Sequence, residues 1–193
     1  MTTKYLLTLS TVFLMTTSAM AQANTLPKDV EELRLPLASK TIPLVVERYQ
    51  GVSQGLSNKL LSESNELTMT EMVANEGQRL WQQAVRDVQS GHTDDRALYW
   101  SRLTMRASLK SQPAGFNIAS WQREILVSAI EKSSRGFSDI DFKPDSRIKI
   151  LLTGFDPFFL DQDIGQSNPS GVTALALDGY TFNVNGKKAQ IET

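Results

Sequence analysis

The residues with the clearest chemical potential lie between Ile148 and Ser170. Ile148, Ile150, Leu151 and Leu152 form a short apolar run with Lys149 near its outer end, as a buried strand would. Gly154 stops that strand. Pro157 lacks a backbone donor and fixes φ, so Phe155 and Phe158 flank a stiff corner. Asn168-Pro169 then pairs a helix-capping side chain with a residue suited to the first helical position. Ligands of α/β sheets bind where a strand, a loop and a helix meet in this way. Two phenyl rings at such a corner either cap the sheet edge or wall a pocket for a small neutral ring, which needs apolar surfaces and few polar groups.

Other chemistry is sparse. The chain has no cysteine, which excludes disulfides, thiolate metal sites and a cysteine nucleophile among these residues. Its one imidazole, His92, sits between Gly91 and Thr93 in a helix connection and is expected to be a solvent-exposed loop residue. No catalytic residue, metal ligand or organic cofactor is expected. A net charge of −1 gives no electrostatic footprint for nucleic acid or an anionic membrane.

The positioning elements are mostly helical. Residues 1–23 read as a secretory signal peptide: Lys4, an apolar run from Tyr5 to Met15 too short to span a bilayer, then small residues with cleavage after Ala21 or Ala23. Without cysteines, the destination is a periplasmic or secreted one, with no membrane attachment after cleavage. Residues 24–136 then read as five helices. The first begins at Pro27 and ends near Pro36. The second starts at Pro43 and carries Leu44, Val45, Val46, Tyr49, Val52 and Leu56. The third runs from Thr70 as cap to Gln89, closed by Gly91, with Val73, Leu80, Trp81, Ala84, Val85 and Val88 on one face. Thr93 caps the fourth, with Asp94 and Asp95 suited to the helix dipole and Leu98, Arg102, Met105 and Leu109 along one side. The fifth covers Ala119–Ser133 and includes Trp121, Ile125, Leu126 and Ile130, with Gly136 as terminator. Trp81, Trp100 and Trp121 are expected to pack in the core, and Arg79, Arg86 and Asp87 to form a solvated face. Residues 137–147 are polar and turn-rich and are placed as a linker before a second unit at 148–193.

The residues Lys149-Ile150-Leu151-Leu152-Thr153-Gly154-Phe155-Asp156-Pro157-Phe158, followed by Asn168-Pro169-Ser170, resemble the amino-terminal signature of pyroglutamyl peptidase I, also called pyrrolidone-carboxylate peptidase. The later order of a helix to Leu177, an Asp178-Gly179 stop and a hairpin turned at Asn185-Gly186 is similar as well. The likeness covers roughly residues 147–193. It implies a truncated three-layer α/β, phosphorylase/hydrolase-like unit after a mainly α region. It also implies a cysteine exopeptidase ancestry, a peptide with N-terminal pyroglutamate as partner, and substrate-binding roles for Phe155, Phe158 and Asn168.

Three departures accompany the likeness. The family usually has glycine after Pro-Phe, where this chain has Phe159. The loop from Phe158 to Asn168 is longer than usual. The family's catalytic Glu, Cys and His lie downstream of the matched segment, so this chain is expected to be an inactive fragment of a longer protein. A strand of the apolarity of Ile148–Leu152 also expects neighbours on both sides. The competing expectation is a secreted helical binding or structural module with a short docking tail. Oligomerisation is left open by both.

Overall fold

The computed structural model describes residues 24–193; the leader expectation for residues 1–23 lies outside them. The described chain is mainly helical, with a small three-stranded sheet at its C-terminal end. After a 3-10 turn at Glu32–Arg34 come α1 (Leu35–Thr41), α2 (Pro43–Val46), α3 (Gln50–Ser62), α4 (Glu66–Gln89), α5 (Arg96–Ser111) and α6 (Ser120–Ser133). Then follow β1 (Ile148–Leu151), α7 (Pro169–Leu177), β2 (Thr181–Val184) and β3 (Lys187–Glu192).

Helix α4 is the longest element, and its apolar face is the expected one. Met69, Val73, Leu80, Trp81, Ala84 and Val88 are all buried, at the spacing of a single helical stripe. It packs most extensively against α6. Its start lies a turn earlier than Thr70, because the Asn65 side chain accepts from Leu67 N at 2.9 Å and satisfies an orphan donor of the first turn. Helix α5 is buried nearly all round and separates two apolar clusters. One joins α3, α4, α6 and Leu175 of α7. The other joins Ala38, Tyr99, Trp100 and Leu103 to Leu160 and Ile164 of the loop before α7.

Several expectations are corrected. Pro36 opens α1 rather than ending a helix, since a missing N–H costs nothing in the first turn. The helix expected from Pro43 is broken between Val46 and Gln50. Neither Thr93 nor Asp95 caps α5 with its side chain; Asp94 does part of that work by accepting from Arg96 N at 3.0 Å. Trp81 and Trp100 are core residues, but Trp121 is 56% exposed and Ile125 is also exposed. The expected solvated face at Arg79 and Asp87 is partly a set of ion pairs: Arg79 meets the buried Glu76, and Asp87 accepts from Arg48 and from the Tyr49 hydroxyl.

The sheet order is β1-β3-β2, with β1 and β3 parallel and β2 and β3 antiparallel. Ile148 faces Ala189, and the ladder runs to Leu151 opposite Glu192. The hairpin turns where expected, with Asn185 at φ 49° and Gly186 at φ 74°, the left-handed pair that a two-residue turn demands. Among the described residues β1 has one strand neighbour, not two, and Leu151 is exposed.

Candidate functional site

The segment Leu152–Pro169 leaves β1, bends at Gly154 and returns through a long loop to the start of α7. Gly154 is required by close approach: a Cβ there would lie 2.8 Å from Gly171 Cα and 2.9 Å from Ser170 O. The bend therefore lies directly on the first turn of α7. Phe155 N donates to Ser170 Oγ at 3.1 Å and ties the two together.

Phe155, Phe158 and Asn168 are brought to one place. With Arg135, Gly154, Asp156 and Ser170 they line a single open groove. Both rings are largely solvent-exposed, Phe155 at 71% and Phe158 at 51%. The Phe158 ring leans on Phe159 at 4.8 Å. Phe159, standing where the resemblance expects glycine, holds φ at 61°, a left-handed conformation that a side chain adopts only at a cost.

Asn168 plays a different part from the rings. It is buried, and its side chain is committed within the protein. Its Oδ1 accepts from Ser170 N at 3.1 Å and from Ser170 Oγ at 2.9 Å, while its Nδ2 donates to Asp156 O at 3.1 Å. It caps α7 and fixes the Phe-Asp-Pro-Phe corner from below.

On the inner side of Gly154–Asp156 lies a cavity of about 210 Å³. Its apolar walls include Trp81, Leu98, Leu152 and Leu175; its polar groups are Asp95, Arg102, Arg135 and Asp156. Phe155 borders both the cavity and the groove. Thus the helical region supplies one wall of the compartment behind the aromatic corner.

The charges there are unevenly matched. Asp156 is held by two cations: Arg102 of α5, itself 2% exposed, and Arg135 at 2.7 Å. Arg135 also pairs with Glu131. Asp95 is 5% exposed and has no ion-pair partner among the described residues. Its Oδ1 accepts one long bond, from Asn168 N at 3.4 Å. Burial pushes its carboxyl up to about 6; the Asn168 N–H opposes that shift, and Asp94 and Asp156 add repulsion. Neighbouring Asp94 goes the other way: burial works against ionisation there, but the Arg96 guanidinium holds it below the usual carboxylate range.

The long loop is gripped by the helical region. Arg34 donates to both Asp161 oxygens at 2.8 and 2.9 Å, and Arg96 donates to Gly165 O at 2.7 Å. Leu160 and Ile164 are buried in the second apolar cluster. His92 is exposed in its loop, away from the groove lining. Asp95 and Arg102 were not singled out as site residues by sequence reasoning. Arg102 had a signal, being a cation within the apolar row Leu98, Met105 and Leu109; a charge on such a stripe implies a buried partner.

A model described as the PA0049 N-terminal domain matches residues 15–131, more than half of the chain. The chain belongs to that family. Its match covers the helices up to α6 and leaves the aromatic corner and the sheet outside. A protein of Pseudomonas aeruginosa, described as uncharacterized protein PA0049, is 35% identical over 144 residues, covering 63% of this chain and 26% of its own length. The chain thus spans about a quarter of the length of that relative. No solved structure matches. No helix among the described residues is long and apolar enough to cross a membrane.

Proposed function

We propose that this chain presents the ring-binding side of a pyroglutamyl peptidase-like site, built on the opening of a three-layer α/β, phosphorylase/hydrolase-like unit and held by a PA0049-type helical domain. The observation that carries this reading is the convergence of Phe155, Phe158 and the Asn168 cap on one groove beyond the end of β1. The rings sandwich a flat neutral lactam, and the corner is stiff enough to keep them apart without a ligand. Catalysis by the family's chemistry needs a thiolate, and these 193 residues contain no cysteine. The chain therefore binds and orients but does not cleave. The leader pattern of residues 1–23 directs it to a periplasmic or secreted location.

Calorimetry with pyroglutamyl-alaninamide and its prolyl counterpart tests the reading. Saturable binding with Kd on the order of millimolar is expected for the pyroglutamyl compound, stronger than for the prolyl one and lost in Phe158→Ala. A fluorogenic pyroglutamyl amide is expected to show no turnover above a blank. Equal affinity for the two compounds, or measurable turnover, overturns it.

A second reading, a helical module that docks through exposed apolar surface, is favoured by the groove between α4 and α6. Leu67 is 81% exposed there and Ile125 46%, with Met69, Phe116 and Ile118 beneath. Sedimentation that shows concentration-dependent self-association, abolished by Leu67→Lys, would support it; a monomer at all concentrations would remove self-association as that role.

A further inference from the structure

Among the described residues that line the cavity behind Phe155, Asp95 is the charge left without a counter-ion. Two arginines share that lining, Arg102 and Arg135, and both turn to Asp156; Arg135 also meets Glu131. Those four charges cancel. Arg106, the other cation beside Glu131, is shared with Asp29, Glu31 and Glu32. Arg96, next in sequence to Asp95, is engaged by Asp94. Asp95 therefore stands as an excess negative charge in a buried position.

Its carboxylate is open on one side. Oδ1 accepts the long bond from Asn168 N at 3.4 Å. Oδ2 accepts nothing among the described residues and, unlike the enclosed Arg102 Nε, keeps accessible surface. It lies against the first turn of α7: a Cβ on Gly171, which also borders the cavity, would come within 2.8 Å of it. The walls around it are apolar, with Trp81, Leu98, Leu152 and Leu175. Phe137 and Leu151 border the same cavity and are largely exposed, so the compartment reaches the surface.

A water molecule or a neutral donor would give Oδ2 a hydrogen bond. The charge would still face Asp94 and Asp156, which repel it. A cation answers both needs. Folding has already taken Asp95 out of water, so a bound cation gives up only its own hydration. One free oxygen suits a monodentate ammonium; a guanidinium fork would need both oxygens, and Oδ1 is occupied. No cluster of His, Cys, Asp or Glu among the described residues could hold a metal ion. The cavity measures about 210 Å³, and an apolar cavity of about 150 Å³ takes benzene. An aromatic ring with a short aminoalkyl arm therefore fits. We propose that this cavity binds a small arylalkylamine, with Asp95 Oδ2 as counter-ion to the ammonium and the apolar walls around the ring. The site is separate from the Phe155–Phe158 groove and does not rest on the lactam reading.

The test titrates the whole chain with 2-phenylethylamine and with 2-phenylethanol, its uncharged counterpart, followed by amide chemical shifts. At about pH 7.5 the amine is expected to bind at least about tenfold more tightly, the scale of one charge-assisted hydrogen bond. Asp95→Asn keeps the side-chain volume and the acceptor for Asn168 N while removing the charge, and is expected to bind the two probes equally. The amine stays protonated well below pH 10, but Asp95, titrating at about 6, is only about one-tenth ionised at about pH 5. Amine affinity is therefore expected to fall about tenfold between those two pH values, with the alcohol unchanged. Equal affinity for the two probes in the unaltered chain, no saturable binding of either, or an amine preference that persists in Asp95→Asn overturns the proposal. None of those outcomes bears on the groove, which pyroglutamyl-alaninamide and Phe158→Ala test separately.

Discussion

Asp95 carries a stability consequence of its own. Its folded carboxyl titrates at about 6, above the usual carboxylate range near 4. The folded state thus holds this proton more tightly than the unfolded chain does. The contribution is favourable at low pH and is lost as pH rises from about 4 through about 6. Asp95→Asn keeps an acceptor for Asn168 N and removes the ionisation. It is expected to match the parent at pH 4 and to exceed it at pH 7.5 by roughly 2–3 kcal/mol, the order of the linkage value of a shift of about two units. Urea unfolding at the two pH values measures this; the same difference at both would show that Asp95 does not ionise under strain. Nothing in the sequence alone announced this residue. Asp94 and Asp95 look equivalent in the string, both suited to a helix start. The fold separates them, giving Asp94 the Arg96 guanidinium and Asp95 only a backbone N–H.

At the scale of elements, the local signals were mostly readable. Asn168-Pro169 opens α7, Asn185-Gly186 turns the hairpin, and α4 buries the stripe its apolar spacing predicts. What escaped was tertiary. Trp121 looks like its two fellow tryptophans, but it sits in the first turn of α6 and stays in water. The long loop before α7 read as an unexplained insertion; it is the segment that Arg34, Arg96 and the second apolar cluster hold. The α4–α6 crossing depends on Gly77, where a Cβ would fall 2.0 Å from Ser133 Oγ and 3.1 Å from Ile130 Cδ1. Helix propensity alone would reward Gly77→Ala by about 1 kcal/mol. Overpacking costs typically 1–3 kcal/mol, and here the Ser133 hydroxyl must also leave Ala129 O, which it meets at 2.9 Å. Sterics should win, with a net loss of about 1–2 kcal/mol. Adding Ser133→Ala should recover most of it. Thermal unfolding of the four proteins of that cycle reads the coupling; additive effects would mean that the helices are not in such close contact.

For the molecule as a whole, the mainly helical body and the β–α–β–β order at its end were legible from period and punctuation. The relation between them was not. The C-terminal segment packs Leu175 into the helical core, sends Leu160 and Ile164 into the second cluster, and offers Asp156 to two arginines of the helical region. Local pattern cannot report such contacts, because their partners stand 54 residues or more apart for Arg102 and Asp156 and further for Arg34 and Asp161. The result is an aromatic corner held in place by the helical region, with a polar cavity between the two.

Backbone amide shift mapping with pyroglutamyl-alaninamide tests that arrangement most directly. The account predicts saturable shifts confined to residues 153–158 and 168–171 together with Asp95, on both sides of Phe155. Shifts concentrated between α4 and α6 near Leu67 and Ile125, or no saturable shift at all, would contradict it.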